Sequence, residues 1–414
     1  MAFDHFVQSG TKQLRCGYTT GTCAALAAGG AATLLLTGNA PKTLSVRTPK
    51  GWTVEVVPES CDRLPDGGAR CAVRKDAGDD PDVTDGMTVV ATVSFGAPSE
   101  DAVLIDGGEG VGRVTRPGLD QPVGNAAINH VPRQMIRNAV LAVCDELEYD
   151  PETSGAIQVI ISIPGGEEKA KKTFNPKLGV EGGLSVLGTS GIVEPMSEQA
   201  LKDTIAVELR QAFELQNEAG AHRHSVLLTP GNYGKDFLDA QGWSGLGVPV
   251  VKISNYVGDA LDAAVSIGFE DILLTGHIGK LVKVAGNIMN THSSVADSRM
   301  ELLAAHAAVC GAPAELTEHI LEAATTDAAL DLLEEAGLRE AVLERIAAAV
   351  QKNLSARAEK ALTATEPEQE LTVGAVFFSN VHGLLAVTGP AERLLTQWKE
   401  QNDHGRTSPG PRGA

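Results

Sequence analysis

Five short apolar runs between positions 157 and 275 each end on a turn of small residues. The runs are IQVIISI (157–163), LSVL (184–187), SVLLT (225–229), VPVVKI (248–253) and DILLT (271–275). The turns are Pro164-Gly165-Gly166, Gly188-Thr189-Ser190-Gly191, Thr229-Pro230-Gly231-Asn232-Tyr233-Gly234, Ser254-Asn255-Tyr256-Val257-Gly258 and Thr275-Gly276-His277-Ile278-Gly279-Lys280. Most lead into segments with helical periodicity, and strand, turn and helix in alternation predict a parallel α/β sheet. Such sheets bind ligands beyond the carboxyl ends of their strands, so all five turns are expected along one edge. Glycine there lets backbone approach a ligand, and amides at helix starts hold anionic groups.

The flanking regions read differently. Thr19-Thr20-Gly21-Thr22 opens a small-residue apolar run, CAALAAGGAATLLL (23–36), closed by Gly38-Asn39, which are helix start and stop signals. Its paired glycines, Gly29 and Gly30, cost stability unless something packs closely on them. TLSVRT (43–48) and WTVEVV (52–57) flank a hairpin turn; RCAVRK (70–75), MTVVATVSF (87–95) and AVLID (102–106) are further strands, and a helix is expected over 132–147. In SEQALKDTIAVELRQAFELQNEA (197–219), Leu201, Ile205, Leu209, Ala212 and Phe213 share one helical face. An Ala/Leu/Glu-rich helical stretch runs from 296 to about 362, followed by a terminal hairpin with strands at 372–378 and 384–388. The predicted organisation is an α+β domain (1–150), a parallel α/β domain (151–295), a helical segment and β-hairpin packing on the other domains (296–400), and a disordered tail (401–414).

Composition narrows the function classes. Acidic residues outnumber basic ones by 53 to 34, for a net charge of −19. That argues against nucleic acid as a partner, and an anionic ligand would need a local basic cluster. The six cysteines form no CxxC pair and no zinc-like spacing with histidine, so buried thiols and no protein metal site are expected. The start MAFDHFVQSG lacks the pattern of a signal peptide. No stretch is judged to reach the roughly 18 apolar residues of a membrane span, and a cytoplasmic location is expected.

Motif by motif, Gly107-Gly108-Glu109-Gly110-Val111-Gly112 follows a strand as a nucleotide-binding turn would, but Pro117 and Gly118 deny it the helix such a site requires, so a hairpin turn is expected. The acid-rich stretch from Lys75 to Asp82 is either a solvated turn or a carboxylate cluster for a ribose, cation or amine. Three titratable groups, His277, Lys280 and Lys283, start one helix at a strand's carboxyl end, and the polar turn Asn290-Thr291-His292 follows. His222-Arg223-His224 precedes a strand, at the edge away from that crevice. GxSxG, HExxH and Walker A signatures are absent from the sequence.

Together, LRCGYTTGTCAA (14–25), KDAGDDPDVTDG (75–86), IDGGEGVGRVTRPGL (105–119), PVGNAAIN (122–129), SVLGTSGIVEPMS (185–197), PGNYG (230–234) and TGHIGKLVKVAGNIMNTHS (275–293) resemble the CbiD family over about residues 14–390. The resemblance implies a cobalt-precorrin-5B C1-methyltransferase of cobalamin biosynthesis, in the anaerobic, early-cobalt branch. Its cosubstrate would be S-adenosyl-L-methionine, and cobalt would arrive within the tetrapyrrole substrate. It also implies an α+β domain joined to a Rossmann-like one. Expected catalytic residues are His277, Lys280 and His292. Gly188, Thr189, Ser190, Gly191, Asn232, Tyr233, Thr275 and Gly276 are expected to hold adenosylmethionine. Thr19, Thr20, Thr22, Asp76, Asp79, Asp80, Arg113, Arg116 and Lys283 are expected to touch the tetrapyrrole, with Arg133, Arg137 and Lys235 as further cations for its carboxylate arms. A non-catalytic corrinoid carrier and a nicotinamide-dependent oxidoreductase are the competing readings, and a homo-oligomer is left open.

Overall fold

The computed structural model describes residues 3–9, 12–173, 175, 176, 178–362 and 370–407. The chain divides into two compact units, at Glu198 and Gln199.

The first unit begins with β1 (Phe6–Ser9), β2 (Lys12–Arg15) and β3 (Gly17–Tyr18), followed by α1 (Thr20–Thr37). Thr19 caps α1, its hydroxyl accepting the Thr22 amide at 3.2 Å, and Gly38 closes it at φ 77°. β4 (Leu44–Arg47) and β5 (Thr53–Val56) form the expected hairpin. Then come β6 (Ser60–Arg63), β7 (Ala69–Arg74), β8 (Thr88–Phe95), β9 (Val103–Gly107), β10 (Arg113–Val114), α2 (His130–Glu146), α3 (Pro151–Ser154) and β11 (Ile157–Ser162). The unit ends with α4 (Gly166–Ala170), β12 (Val180–Glu181) and β13 (Ile192–Val193). Its main sheet has the order β6-β7-β8-β11-β9. Helix α1 packs against β7, β8 and α2, and of its paired glycines Gly30 is the one this fit requires. Gly29 lies against Ala139, while a Cβ on Gly30 would come within 2.6 Å of Leu44 and 2.9 Å of the Cys71 sulfur. By length and composition α1 could cross a membrane, contrary to expectation, yet 14 of its 18 residues are buried inside this unit.

Two of the five runs belong here rather than to a parallel sheet. β11 pairs antiparallel with β8 and parallel with β9, so it is an interior strand of the first sheet. The boundary expected at 150/151 therefore falls inside the first unit. Residues 184–187 make only isolated bridges, Val111 with Leu184 and Ile128 with Val186. The glycine-rich turn after β9 is not a hairpin: β9 pairs with β11 and β10 with β12. Gly110, at φ 72°, is pressed onto the Ile163 carbonyl and leaves no room for a side chain.

The second unit is doubly wound. Its elements are α5 (Glu198–Glu218), β14 (Ser225–Thr229), α6 (Asn232–Ala240), β15 (Val250–Lys252), α7 (Val257–Ile267), β16 (Asp271–His277), α8 (Ile278–Ala285), α9 (Arg299–Val309), α10 (Ala314–Glu322), α11 (Thr326–Glu335), α12 (Arg339–Leu362), β17 (Thr372–Ser379), β18 (Gly383–Val387) and α13 (Gly389–Thr407). The sheet order is β15-β14-β16-β17-β18; the first four strands are parallel and β18 is antiparallel. One face of the sheet (Leu227, Leu273, Val376) is covered by α6 and α13 through Leu238, Leu394 and Trp398. The other (Val226, Leu228, Ile272, Leu274) is covered by α5, α7, α8 and α12. Burial on both faces is why these strands read as unbroken apolar runs. The terminal hairpin extends this sheet, because β17 pairs with β16 along its whole length. Helix α13 runs to Thr407, into the expected tail, and 408–414 lie outside the described residues.

Candidate functional site

From β14 the chain crosses to β15 at one side and then returns to lay β16 on the other side of β14. The gap between the carboxyl ends of β14 and β16 is the point where strand order reverses, the place where such sheets open a crevice. Three strand ends meet there. After β14, Gly231 adopts φ 86° and ψ −170°, open only to glycine, and α6 starts at once with no side-chain cap. Gly234 lies on Thr229 so closely that a Cβ would fall inside the threonine hydroxyl. After β15, Ser254 takes a left-handed turn (φ 51°). After β16, Lys280 in the first turn of α8 extends its ammonium to the Ser254 carbonyl at 3.4 Å, and a Cβ on Gly231 would stand 3.6 Å from it. Burial holds the Lys280 pKa below the ordinary lysine value, and nearby Lys283 adds to this.

His277 ends β16 and caps α8, its Nδ1 accepting the Gly279 amide at 3.1 Å. Burial lowers its pKa, opposed by Asp327 and assisted by Lys280. An imidazole that accepts through Nδ1 carries its proton on Nε2 when neutral. In its neutral form His277 therefore presents Nε2 as a hydrogen-bond donor. Asp327, at the start of α11, accepts the Ser379 hydroxyl at 2.5 Å, and that hydroxyl in turn accepts the amides of Val381 and His382. Beneath the crevice the Thr229 and Thr275 hydroxyls are buried without a protein hydrogen-bond partner. Thr275 and Gly276 are interior to β16, whereas Asn232 and Tyr233 stand exposed at the head of α6, with Lys252 donating to Asn232 Oδ1 at 2.9 Å.

Two residues expected here have other work. Lys283 is 3 % exposed; its ammonium donates to the carbonyls of Ala296 (2.8 Å) and Thr291 (3.2 Å) and stands 3.8 Å from Asp297. These contacts pin the 291–297 loop. His292 is exposed, and its Nδ1 accepts the Ser294 amide at 3.1 Å, closing its own turn.

In the first unit, two motifs expected to serve different ligands form one clasp. Thr20 exchanges hydrogen bonds with the Leu187 backbone, Thr22 donates to the Gly191 carbonyl at 2.6 Å, and Gly188 lies directly on Thr19. Thr189 remains exposed, and the Ser190 hydroxyl donates to the Ile192 carbonyl at 3.0 Å. The turn 188–191 therefore belongs to the first unit and does not lie on the edge that carries Asn232 and Thr275.

The acid-rich loop satisfies itself. Asp76 holds Arg15 through two bonds of 2.7 and 2.8 Å, and Asp79 accepts the Arg15 amide. Asp80 accepts the Met196 amide, Asp82 pairs with buried Lys75 at 2.6 Å, and Asp85 accepts the Ala77 amide. The Arg15 guanidinium holds Asp76 below the usual carboxylate range. The arginines are engaged likewise. Arg113 pairs with Asp106, Arg133 donates to the Ile128, Ile105 and Ala126 carbonyls, and Arg137 lies 3.8 Å from Asp101. Arg116 is exposed, its stem packed over Gly179; Lys235 is exposed. His224 bonds Asn217 and stacks on Phe213, and Arg223 pairs with Asp271. Among the described residues no cluster of metal-ligating side chains occurs. A groove of about 400 Å³ lies between α12 and β18, lined by Leu343, Ala347 and Leu385, and contains none of the expected site residues.

Sequence reasoning missed Thr229, Ser254, Asp327 and Ser379. Thr229 and Ser254 stood inside turns already singled out. Asp327 sits in the Ala/Leu/Glu-rich helical stretch and carried no signal of its own.

Comparison with known proteins follows the same division. Sequence profiles described as CbiD and as CbiD, C-terminal domain, match residues 7–195 and 290–389. The chain is 42% identical over 398 residues to a cobalt-precorrin-5B C(1)-methyltransferase of Alkaliphilus metalliredigens, covering 96% of this chain and 98% of that protein. A protein of the same description from Ruminiclostridium cellulolyticum is 46% identical over 356 residues, covering 86% and 88%. A crystal structure of a cobalamin biosynthesis protein (cbiD) from Archaeoglobus fulgidus is 27% identical, with a TM-score of 0.37, covering 71% of this chain and 87% of that one. With both profiles matched and such identity along nearly its full length, this chain belongs to the CbiD family.

Proposed function

We propose that the chain is an S-adenosylmethionine-dependent methyltransferase that methylates ring carbon C1 of cobalt-precorrin-5B, in the anaerobic route to cobalamin. The observation that carries this is the end-to-end match to relatives described by that activity. Bound adenosylmethionine would supply an already activated sulfonium methyl. As the new carbon–carbon bond forms, the carbon–sulfur bond breaks and leaves a neutral thioether. Such a transfer needs alignment more than acid–base power. The site is in keeping with that: its one histidine, when neutral, presents a donor and its lysine is half-buried.

For the donor site we propose the crevice lined by Gly231, Asn232, Tyr233 and His277, with Thr275 and Gly276 buried beneath it in β16. Its fit rests on the side-chain-free approach at Gly231 and the uncapped first turn of α6. Thr189, on the clasp closed by Thr19, Thr20 and Thr22, is proposed to face the tetrapyrrole. Asp76, Asp79, Asp80 and Lys283 are given no ligand, because their charges are already held.

The test is incubation of the purified chain with methyl-labelled adenosylmethionine and cobalt-precorrin-5B. One labelled methyl on the tetrapyrrole, with an equal amount of S-adenosylhomocysteine, is the expected result. Tetrapyrrole binding with no thioether formed would refute methyl transfer and favour a carrier.

A further inference from the structure

We infer that the switch-point crevice of the second unit receives a carboxylate, and that Lys280 is the cation that neutralises it. Which molecule brings the carboxylate depends on the function proposed above. The methionyl end of the methyl donor and the acetate or propionate arms of the tetrapyrrole both present this group.

The argument starts from charge. The chain has 53 acidic residues to 34 basic ones, so an acidic partner for a half-buried lysine is easily supplied. Several other cations of this unit have one: Arg223 meets Asp271, Arg357 meets Asp262, and Lys202 meets Asp259, whereas Lys252 donates to the neutral Asn232 Oδ1. Lys283 has two carbonyls and Asp297. Among the described residues, no carboxylate is paired with Lys280. Its protein acceptor is the Ser254 carbonyl at 3.4 Å, a long bond to a neutral group. Desolvation lowers its pKa, and the one neighbouring charge that acts on it, Lys283, lowers it further. A buried cation without a counter-charge is costly to the fold unless a ligand completes it.

Geometry gives the second line. Gly231 removes any side chain from beside the ammonium, in a conformation that excludes a replacement. The same glycine is the N-cap of α6, a nine-residue helix whose first amides receive no side-chain cap. A carboxylate resting on Gly231 would therefore accept from Lys280 Nζ on one side and from first-turn amides of α6 on the other. The lysine and the uncapped helix start come from two different strand ends that only the reversal of strand order brings together.

The experiment is calorimetric titration of the full chain and its Lys280→Gln variant with four probes. Two are S-adenosylhomocysteine and 5′-methylthioadenosine, which lacks the amino-acid end. The others are a cobalt corrinoid with free acetate and propionate arms and the same ring with its arms amidated. If the donor brings the carboxylate, the variant weakens S-adenosylhomocysteine about ten- to hundredfold and leaves methylthioadenosine within about twofold. If the tetrapyrrole brings it, that selective loss appears for the free-acid corrinoid and not the amidated ring. Unchanged affinity for both acid probes overturns the inference and leaves the proposed function standing, as does equal weakening of acid and neutral probes. A wild type that binds neither donor nor tetrapyrrole overturns both. The unliganded variant should melt no lower than wild type, since it loses an unpaired charge; a clearly lower melting temperature would mark Lys280 as structural and refute the assignment.

Discussion

Replacing Lys283 by methionine separates what the sequence suggests from what the structure does. The substitution keeps a long, flexible apolar stem and removes only the ammonium. Lost are a bond of 2.8 Å to the Ala296 carbonyl and one of 3.2 Å to Thr291. The 3.8 Å approach to Asp297 is too long to count as a hydrogen bond, and Arg299 still holds that carboxylate at 2.6 Å. Bonds to a charged group are worth about 1.5–3 kcal/mol each. Against them stands the cost of burying the ammonium, which the variant no longer bears. A net loss of about 2 kcal/mol is therefore expected, and for a unit of this size that lowers the melting temperature by roughly 4–8 °C. Calorimetry should show the fall in the second unit's transition, and limited proteolysis should find cleavage within 291–297 speeded. Affinity for a free-acid cobalt corrinoid should stay within a few-fold. An unchanged melting temperature together with a tenfold loss of corrinoid affinity would refute this reasoning and restore Lys283 as a ligand contact.

Thr19→Ala removes the α1 cap and should cost about 1 kcal/mol in denaturant unfolding, with Thr19→Ser recovering most of it; equal stability of all three proteins would mean the cap bond at 3.2 Å is not formed. Gly234→Ala forces a methyl into the Thr229 hydroxyl and should cost about 3 kcal/mol or more. Thr229→Ala should recover only part of that, because the Thr229 Cβ itself would lie 2.8 Å away; strictly additive losses in the double mutant would argue against the contact. His277 is bound less readily by protons folded than unfolded, so stability is lost as pH falls through its unfolded value near about 6.5 and on towards its lower folded value. His277→Asn keeps an acceptor for the Gly279 amide but cannot titrate. Its melting temperature should fall less than that of wild type between pH 7.5 and pH 5.5, and an equal fall would remove His277 as the cause.

The strands of the second sheet were legible because burial on both faces leaves no polar position to interrupt them: all of Ser225–Thr229 is buried. The run at 157–163 misled for an instructive reason. Its burial alternates, with Ile157, Val159 and Ile161 inside and Gln158 and Ile160 outside, as in a strand with one solvated face. Ile160 on the outer face disguises the alternation, and the run reads as continuous. Four residues at 184–187 are too few for either period to declare itself, and only the bridges to Val111 and Ile128 fix their place. The carboxyl-end rule pointed to this edge of the sheet, but it could not say which residues of the turns faced the crevice.

Residue type alone could not separate function from scaffold, because the separation lies in partners far away in sequence. Asp76 looked available until Arg15, 61 residues earlier, was found on it. Asp80 was committed to an amide 116 residues later. The contrast is sharpest between Lys280 and Lys283. They are the same residue, one helical turn apart in α8, at the end of the same strand. Lys283 is enclosed because the loop after α8 folds back and offers it two carbonyls. Lys280 faces the ends of β14 and β15, where glycine has been placed instead of an acid. A half-buried ammonium whose protein acceptor is a neutral carbonyl, beside a glycine at φ 86°, is the contrast with Lys283 on which the carboxylate inference rests.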